Sequence, residues 1–446
     1  MSRKPHTART HARRAPLETA LREAIGAHRS GRLNEAERRY RALLAAAPDQ
    51  PDALHFLGVL LHQQGRREAA LALIGRALAA APGYVDARNN LGNVQKELGL
   101  ADGAEQSFRA VLAARPEYAP AWNNLGVVLK AQNRGREAVE AYRRALALAP
   151  DFADCWANLG NALRALGDLQ EAMTAYCKAI ELAPQSIDAY HNLGQALVSS
   201  RRTAEALEVY RRWQAQQPDN PAIAHMIAAV GGDPAPGRAS DAYVQTTFDR
   251  FASSFDEVLS SLDYRAPALC GALVAELAGA PQGLLDVLDA GCGTGLCAPI
   301  LAPWARALDG VDLSPKMLEK AAARGGYRRL DAAELTAWLA THPASYDLVV
   351  SADTLCYFGA LEDVSTAAAC ALRPGGLLVF TVEECAGDGA PPFRLNAHGR
   401  YSHGEAYARG VFKQAGLEVA ALRRAVLRTE LDAPVGGLVI GARRAA

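Results

Sequence analysis

The segment from Leu284 to Gly295, LLDVLDAGCGTG, combines an apolar run, a carboxylate and three glycines at alternate positions. The Leu- and Val-rich run that stops at Asp289 is typical of a buried parallel strand. Gly291, Gly293 and Gly295 permit a tight turn in which backbone approaches a ligand, and the following helix presents its N-terminal amides to that ligand. The segment therefore predicts a ligand-binding turn at the carboxyl end of a strand.

The spacing of the glycines indicates which ligand. A dinucleotide fingerprint needs GxGxxG, but the sixth position here is Leu296, so the pattern is GxGxG. Preceded by Asp289, this pattern resembles the first motif of the class I S-adenosylmethionine-dependent methyltransferases. The resemblance implies that Asp289 and the three glycines hold the methionine part of that cofactor. The alternative is a glycine turn that ends a strand for structural reasons alone.

Two further acidic residues extend the resemblance. GVDLSPKMLEKA places Asp312 at the end of the second expected strand, where a carboxylate can accept hydrogen bonds from both ribose hydroxyls. The alternative is a helix N-cap formed by Asp312 or Ser314. In YRRLDAAEL, the resemblance implies that Asp331 bonds the adenine amine and that Ala332 supplies a backbone amide, with helix capping by Asp331 as the alternative.

Candidate residues for the reacting end follow in YDLVVSADTLCYFGAL and RLNAHGRYSHGEAYARG. By resemblance, Ser351, Asp353 and Tyr357 line the cleft near the transferable methyl group. After the fifth strand, where this fold usually carries acceptor specificity, one member of a polar cluster is expected to orient or deprotonate the acceptor; the alternative is a polar loop that caps the next helix. The cluster contains His398, Arg400, Tyr401 and His403, of which Tyr401 and His403 are, together with Tyr357, the candidate catalytic residues.

Strands and helices alternate through the C-terminal half, which predicts a doubly wound parallel sheet. Two late apolar runs, Leu417–Leu427 and Leu438–Arg443, predict an antiparallel hairpin at the sheet edge, as in the methyltransferase fold. The chain as a whole is thus expected to be an all-α tetratricopeptide solenoid followed by a Rossmann-like α/β methyltransferase domain. The other expected strands are Leu284–Ala290, Ala307–Val311, Tyr327–Leu330, Tyr346–Ala352 and Leu377–Val382.

A phenylalanine-rich stretch, FDRFASSFD, precedes the first strand. Phe248, Phe251 and Phe255 recur at helical spacing, which is typical of a core-facing helix. Many small-molecule and peptide methyltransferases carry a similar helix that closes over the methionine end of the cofactor. The stretch therefore has two interpretations, a core helix and a lid.

The N-terminal half repeats every 34 residues, which is the tetratricopeptide period. The period is carried by prolines that end each second helix, at positions 48, 82, 116, 150, 184 and 218. Four repeats carry asparagine at the sixth position, at Asn90, Asn124, Asn158 and Asn192, where carboxamides can read extended peptide backbone. This row resembles the asparagine ladder of O-linked N-acetylglucosamine transferase. The alternative is that the asparagines are solvated or bond locally.

We therefore expect four regions: a basic disordered tail over residues 1–16, six repeats with a capping helix over 17–230, a Gly- and Pro-rich linker over 231–240, and a methyltransferase domain over 241–446. The layout resembles a bacterial family of predicted methyltransferases with tetratricopeptide repeats, a family that brings no defined methyl acceptor with it.

Composition argues against several other classes of protein and site. The chain of 446 residues has no net charge and no concentrated basic face, so a nucleic-acid partner is not expected. It has no apolar run of roughly 20 residues, so no membrane span is expected. Its eight cysteines form no CxxC pair, which argues against a zinc site or a disulfide framework and suits a reducing cytoplasm.

The leading hypothesis is an S-adenosylmethionine-dependent methyltransferase that needs no metal and whose repeats recruit a protein or peptide. Two alternatives remain. One is an interaction scaffold with a catalytically idle methyltransferase domain, and the other is a small-molecule methyltransferase that uses its repeats for localisation or homo-oligomerisation.

Overall fold

The structure is a computed structural model that describes residues 7–387, 391–430 and 433–445, with side chains described from residue 17 onward. The chain divides into two compact units, Met1–Ala196 and Leu197–Ala446. In the described part of the chain, no helix combines the length and the apolar character that crossing a membrane requires.

Helices alone build the repeat array, and consecutive helices pair within each 34-residue repeat. They are α1 Thr7–Arg29, α2 Leu33–Ala46, α3 Pro51–Gln63, α4 Arg67–Ala80, α5 Val85–Glu97, α6 Ala101–Ala114, α7 Ala119–Ala131, α8 Gly135–Leu148, α9 Ala153–Ala165, α10 Leu169–Leu182, α11 Ile187–Ser199, α12 Thr203–Gln216 and α13 Pro221–Ala229. The predicted all-α solenoid is confirmed.

The repeated glycines mark the closest contact between the two helices of a repeat. A Cβ added to Gly92 in α5 would lie 2.8 Å from the ring of Phe108 in α6. In the next repeat, a Cβ at Gly126 would lie 2.6 Å from Tyr142. Glycine in mid-helix costs roughly 0.5–1 kcal/mol relative to alanine, so close packing against an aromatic ring, not helix propensity, explains these positions.

The tail predicted over residues 1–16 is described only in part. Residues 7–16 belong to the helix α1, and residues 1–6 lie outside the described residues. The helix continues to Arg29 because residues 17–29 carry the apolar pattern of the first repeat, with Ala24 and Ala27 buried.

The second unit carries the sheet. Its remaining helices are α14 Asp241–Phe251, α15 Phe255–Ser261, α16 Ala266–Ala278, α17 Ala298–Leu301, α18 Pro315–Arg324, α19 Leu335–Ala340, α20 Glu362–Ala371 and α21 Glu405–Gln414. Its strands are β1 Leu285–Ala290, β2 Ala305–Asp312, β3 Arg329–Ala332, β4 Tyr346–Ser351, β5 Leu372–Glu384, β6 Phe393–Leu395, β7 Tyr401–His403, β8 Leu417–Glu430 and β9 Ala433–Arg444.

The sheet follows the predicted topology. Strands β3, β2, β1, β4 and β5 lie side by side and run parallel. Strand β9 pairs antiparallel with β5, and β8 pairs antiparallel with β9 to form the edge hairpin. Because chain order reverses between β1 and β4, the carboxyl ends of these strands open a crevice where ligands bind in such sheets.

One element was not predicted. Strands β6 and β7 form a short hairpin, and β7 pairs parallel with the end of β5. The polar cluster predicted as a loop after the fifth strand lies partly in this hairpin.

The segment predicted as a linker, residues 231–240, is hydrogen-bonded within the second unit. The carbonyl of Gly237 accepts from the amides of Gly359 (2.9 Å) and Ala360 (2.7 Å). Tyr401 donates its hydroxyl to the carbonyl of Pro236 at 2.8 Å. Just upstream, His225 in α13 contacts the carbonyl oxygen of Gly399 through Nε2 at 2.8 Å. These bonds hold the segment against the sheet unit.

Candidate functional site

A cavity of about 280 Å³ lies at the carboxyl edge of the sheet. Of the residues predicted from sequence, Gly291, Gly293, Asp312, Asp353 and Tyr357 line it. These residues follow β1, β2 and β4, so the topology brings together positions that lie more than 60 residues apart in sequence.

The glycine turn after β1 has the conformation that its residue types predict. Gly291 (φ 78°) and Gly293 (φ 53°) both adopt left-handed backbone, which favours glycine. A Cβ at Gly291 would lie 2.1 Å from Oγ1 of Thr354, whereas a Cβ at Gly293 would touch only Phe255, at 3.9 Å. The turn thus presents bare backbone to the cavity.

Asp312 ends β2 with its carboxylate beside this turn. Its Oδ2 accepts from the amide of Gly293 and its Oδ1 accepts from the amide of Ser314, each at 2.9 Å. Burial raises the pKa of Asp312, against the two amides that favour its ionised form. Ser314 caps α18 by accepting from the amide of Met317 at 3.2 Å. Because Ser314 provides the cap, the Asp312 carboxylate is left at the cavity wall.

Asp289 lies below the turn, not in the cavity lining. Its side chain is buried, and Oδ2 accepts from the hydroxyl of Tyr327 at 2.6 Å. Burial raises the pKa of Asp289 to about 7. Gly295 (φ 86°) also lies away from the cavity, where an added Cβ would approach Tyr327 at 3.2 Å. Both residues therefore shape the turn from beneath, which differs from the predicted direct contact with a cofactor.

Asp331 and Ala332 do not line the cavity either. Strand β3 continues through Ala332, so Asp331 and Arg329 share one face of the strand. Their side chains pair at 2.6 Å. The neighbouring Ala333 lines the cavity instead, and its amide donates to the main-chain oxygen of Asp312 at 3.1 Å. The residue of this segment that lines the cavity is therefore Ala333, and not the predicted Asp331 or Ala332, because β3 extends through Ala332.

The phenylalanine-rich stretch forms α14 and α15 and covers the cavity. Phe248, Phe251 and Phe255 all line it. Phe248 packs edge-to-face against Tyr357, with ring centroids 5.4 Å apart. Of the two interpretations that helical spacing left open, the geometry favours the lid.

Two aspartates tie this lid to the loops that follow β1 and β2. Asp249 in α14 accepts from the hydroxyl of Ser314 at 2.6 Å. Asp256 in α15 accepts from the hydroxyl of Thr294 at 2.6 Å and pairs with Arg324 at 2.5 Å. Neither aspartate was predicted as a site residue. The sequence does carry a signal, because the dipeptide Phe-Asp occurs twice in FDRFASSFD, seven residues apart.

Asp353 lies in a strained backbone conformation at the far wall. Its φ is 58°, a left-handed value that is uncommon outside glycine and is typical of functional sites. Its amide donates to Oγ1 of Thr381 at 2.8 Å, and its carboxylate pairs with Arg428 at 2.8 Å. The adjacent candidate, Ser351, is buried and does not line this cavity.

A buried charge network surrounds Asp353, and of its two arginines, Arg400 and Arg428, only Arg400 was predicted from sequence as a candidate. Arg428 on β8 lines the cavity with only 1% of its side chain exposed. It also pairs with Glu383 and, at 2.6 Å, with Glu430. Arg400 lines the same wall and pairs with Glu383 at 2.8 Å. Burial opposes the ionisation of Glu430, but the Arg400 and Arg428 guanidiniums lower its pKa to about 2. The sequence signal for this network was Arg428, an arginine within the apolar pattern of the edge strand β8.

The structure separates the three predicted catalytic residues. Tyr357 lines the cavity, but Tyr401 and His403 do not. Tyr401 is fully buried and uses its hydroxyl on Pro236. The ring of His403 is fully buried, its Nε2 lies 2.8 Å from the carbonyl oxygen of Phe358, and burial lowers its pKa to about 4. Because both belong to the β6–β7 hairpin, their side chains hold that hairpin in place and do not line the cavity.

The asparagine row in the repeats bonds from one repeat to the next. Asn124, Asn158 and Asn192 donate to asparagine side chains one repeat earlier at 3.0–3.1 Å, and Nδ2 of Asn90 lies 2.8 Å from Nε2 of His55. Each of the four is half-buried. Local bonding, one of the two interpretations open from sequence, therefore accounts for one amide hydrogen of each residue.

The sheet topology and the glycine-lined cavity at its carboxyl edge define a methyltransferase domain, preceded by a tetratricopeptide array. Comparison with protein families agrees: residues 288–380 match a methyltransferase domain model. Tetratricopeptide repeat models match residues 27–88, 61–126, 119–152, 141–174 and 189–222, and a TPR repeat model matches residues 160–200. The chain thus contains a methyltransferase domain and tetratricopeptide repeats.

Two curated relatives are methyltransferases by name. The chain is 38% identical over 141 residues to human methyltransferase-like protein 27, a match that covers 30% of this chain and 55% of that protein. It is 37% identical over 135 residues to trans-aconitate 2-methyltransferase of Streptomyces avermitilis, covering 28% of this chain and 49% of that protein. The chain therefore spans about half the length of these relatives.

Solved structures similar to this chain include repeat proteins. MamA is 23% identical, covers 36% of this chain and 93% of its own, and gives a TM-score of 0.34. YrrB, described as a TPR protein with an unusual peptide-binding site, is 24% identical. The match covers 42% of this chain and 96% of the YrrB chain, with a TM-score of 0.36. PilF of Pseudomonas aeruginosa is 18% identical. The match covers 47% of this chain and 95% of the PilF chain, with a TM-score of 0.42.

Proposed function

We propose that this chain is an S-adenosylmethionine-dependent methyltransferase whose tetratricopeptide array recruits a protein or peptide. The observation that carries the proposal is the cavity at the carboxyl edge of the sheet. There the bare backbone of the glycine turn, the Asp312 carboxylate and the aromatic lid meet around one space.

The residues present fit this cofactor. Each oxygen of Asp312 accepts one amide and keeps a further lone pair for a ribose hydroxyl. Val311, Leu313 and Leu335 give the neighbouring wall an apolar surface suited to adenine. At the other end, Phe248 and Tyr357 offer aromatic rings, which attract a cation such as a sulfonium.

When bound, S-adenosylmethionine supplies a sulfonium-linked methyl group for transfer by in-line displacement. The chain contributes mainly alignment of the two reactants, an effect that can reach roughly 7–11 kcal/mol. Asp249 and Asp256 hold the lid over the cavity, which excludes water from the reacting end. Burial raises the pKa of Tyr357 well above its usual value, so its phenol stays protonated and orients an acceptor through hydrogen bonding.

The repeats supply the second half of the proposal. The asparagine row lies on the first helices of the repeats, which line the inner surface of such arrays. After bonding to the preceding repeat, each carboxamide retains capacity to meet the backbone of a peptide. We place the protein in the cytoplasm because all eight cysteines are free thiols.

Calorimetric titration of S-adenosylmethionine and of S-adenosylhomocysteine into the full chain tests the cofactor assignment. Stoichiometric binding of both supports it, and no binding to folded protein would favour an idle scaffold. Transfer of a labelled methyl group in a lysate then tests the acceptor class. Label in protein bands supports recruitment of a protein substrate, whereas label only in small metabolites would favour a small-molecule methyltransferase.

A further inference from the structure

A row of cations follows the last turn of successive first helices in the repeat array. His62 in α3, Lys96 in α5, Lys130 in α7 and Arg164 in α9 are each 34 residues apart. Lys96 and Arg164 are half-buried and Lys130 is exposed. Lys96 donates to Oδ1 of Asn124 at 3.3 Å, so the cation row lies beside the asparagine row.

Three members of this row have no carboxylate partner within 4.0 Å among the described residues, namely Lys96, Lys130 and Arg164. His62 alone is matched, with Glu97 at 3.0 Å. Elsewhere in the array, arginines bridge neighbouring repeats through carboxylates, as Arg134 does with Glu105 at 2.7 Å and Arg115 with Asp86 at 2.6 Å. Carboxylates therefore pair with these arginines between repeats, whereas the three cations of the row form no such ion pair among the described residues.

Two of the unmatched cations, Lys130 and Arg164, also repel each other. Although the Lys130 side chain is exposed overall, desolvation of its ammonium lowers its pKa, and the Arg164 guanidinium lowers that pKa further. Burial and the same guanidinium lower the pKa of His191, in the next first helix, to about 4. The Nε of Arg164 is itself buried without a hydrogen-bond partner in the described part of the chain. Like charges held together in this way are relieved by a bound anion.

The opposite edge of the same helices carries three carboxylates, of which Asp86 is paired with Arg115. Asp52, Asp86 and Asp154 lie at the start of α3, α5 and α9, ten residues before the cations. At 1.5 Å per residue, about 15 Å along the helix axis separates the two rows. The surface between them carries the asparagines, so it presents a basic edge, an amide-lined floor and an acidic edge.

We propose that this surface binds an extended acidic peptide, with peptide carboxylates on Lys96, Lys130 and Arg164 and peptide backbone on the asparagine row. The proposal rests on the proposed recruiting role of the repeats and names the chemistry of the partner. A nucleic acid fits less well, because the carboxylates of Asp52 and Asp154 at the opposite edge repel phosphates.

The test uses the full chain and a fluorescein-labelled ten-residue peptide of alternating Glu and Gly, followed by fluorescence anisotropy. The test variant is Lys96→Gln/Lys130→Gln/Arg164→Gln. The matched control, Arg38→Gln/Arg136→Gln/Arg144→Gln, removes three exposed charges from second helices of the array. Each protein is also titrated with S-adenosylmethionine, which separates this inference from the cofactor assignment.

We expect wild type and control to bind the acidic peptide alike, and the test variant to bind at least about tenfold more weakly, as the loss of three modest ion pairs implies. A Gln-Gly peptide of the same length should bind wild type as weakly as the acidic peptide binds the test variant. Equal affinity of wild type and test variant for the acidic peptide overturns the proposal. Tighter binding of a single-stranded RNA ten-mer than of the acidic peptide overturns it as well. Either result leaves S-adenosylmethionine binding, and hence the cofactor assignment, to be judged separately.

Discussion

At the scale of single residues, Asp312 has a structural role in the glycine turn and, under the proposed function, also binds the ribose. Its oxygens hold the amides of Gly293 and Ser314, and the remaining lone pairs face the cavity. We expect Asp312→Ala to weaken S-adenosylmethionine binding by roughly 1.5–3 kcal/mol for each charge-assisted hydrogen bond lost. Calorimetric titration measures the loss, and Asp363→Ala, an exposed carboxylate on α20, is the matched control. Unchanged affinity in a folded Asp312→Ala protein would show that the ribose is held elsewhere.

Asp289 makes the stability of the cofactor-free protein depend on pH. Its pKa rises from 3.8 in the unfolded reference to about 7 in the fold because of burial. Between these values the folded state binds the proton more tightly, so this residue's contribution favours the fold at low pH and is lost as pH rises through 7. Asp289→Asn mimics the protonated form and removes the dependence.

Urea unfolding of wild type and Asp289→Asn at pH 8 and pH 6 checks this expectation. From pH 8 to pH 6, wild type should gain about 1.4 kcal/mol of unfolding free energy beyond any gain of the variant. Because His residues titrate in both proteins, only the difference between them reports on Asp289. Parallel changes in the two proteins would mean that Asp289 is ionised at neutral pH.

At the scale of elements, two aspartates, Asp249 and Asp256, fasten the lid in addition to its apolar contacts. Asp256 fastens α15 to Thr294 of the glycine turn and to Arg324 of α18. We expect Asp256→Ala to speed amide hydrogen exchange across residues 249–261 and to weaken S-adenosylmethionine binding several-fold. Glu257→Ala removes an exposed carboxylate from the same turn of α15 and should change neither. Unaltered exchange in Asp256→Ala would mean that the phenylalanines hold the lid closed by themselves.

Sequence predicted those elements whose signal is local and repeated. The 34-residue period fixed the helix pairs, and apolar runs located seven of the strands to within a few residues at most ends. The β6–β7 hairpin escaped because each strand has only three residues, Phe393–Leu395 and Tyr401–His403, too few to show alternation. Without that hairpin, nothing in the sequence indicated that Tyr401 and His403 are buried and hydrogen-bonded away from the cavity, because residue type alone does not distinguish a buried hydrogen bond from a catalytic one.

The site itself was predictable only in part, for a related reason. Gly291, Gly293 and Asp312 belong to short motifs whose roles follow from local geometry. Asp331 was predicted to contact a ligand, but β3 continues one residue past it and Asp331 does not line the cavity. Arg428 was missed because two of its partners, Glu383 and Asp353, lie 45 and 75 residues away in sequence. Contacts of that range depend on tertiary packing, which periodicity does not record.

At the scale of the whole molecule, the compact unit that carries the sheet begins at Leu197, whereas composition placed the start of the methyltransferase domain at residue 241. Residues 231–240 accept or donate bonds that the sheet unit would otherwise leave unmade. Without Pro236 and Gly237, the hydroxyl of Tyr401 and the amide of Gly359 lose their partners. Each buried polar group left unsatisfied costs roughly 1–3 kcal/mol.

Three fragments, 197–446, 231–446 and 241–446, therefore differ in expected stability. We expect melting temperature to fall in that order: the second fragment loses the contact of His225 with Gly399 and its stacking on Tyr243, and the third also loses the partners of Tyr401 and Gly359. Thermal unfolding measures the order, and S-adenosylmethionine titration shows whether Tyr357, whose carbonyl accepts from the amide of Ala239, still shapes the cavity. Equal melting temperatures and equal affinities for 197–446 and 241–446 would return the domain boundary to residue 241, since the upstream contacts would then contribute nothing to the fold.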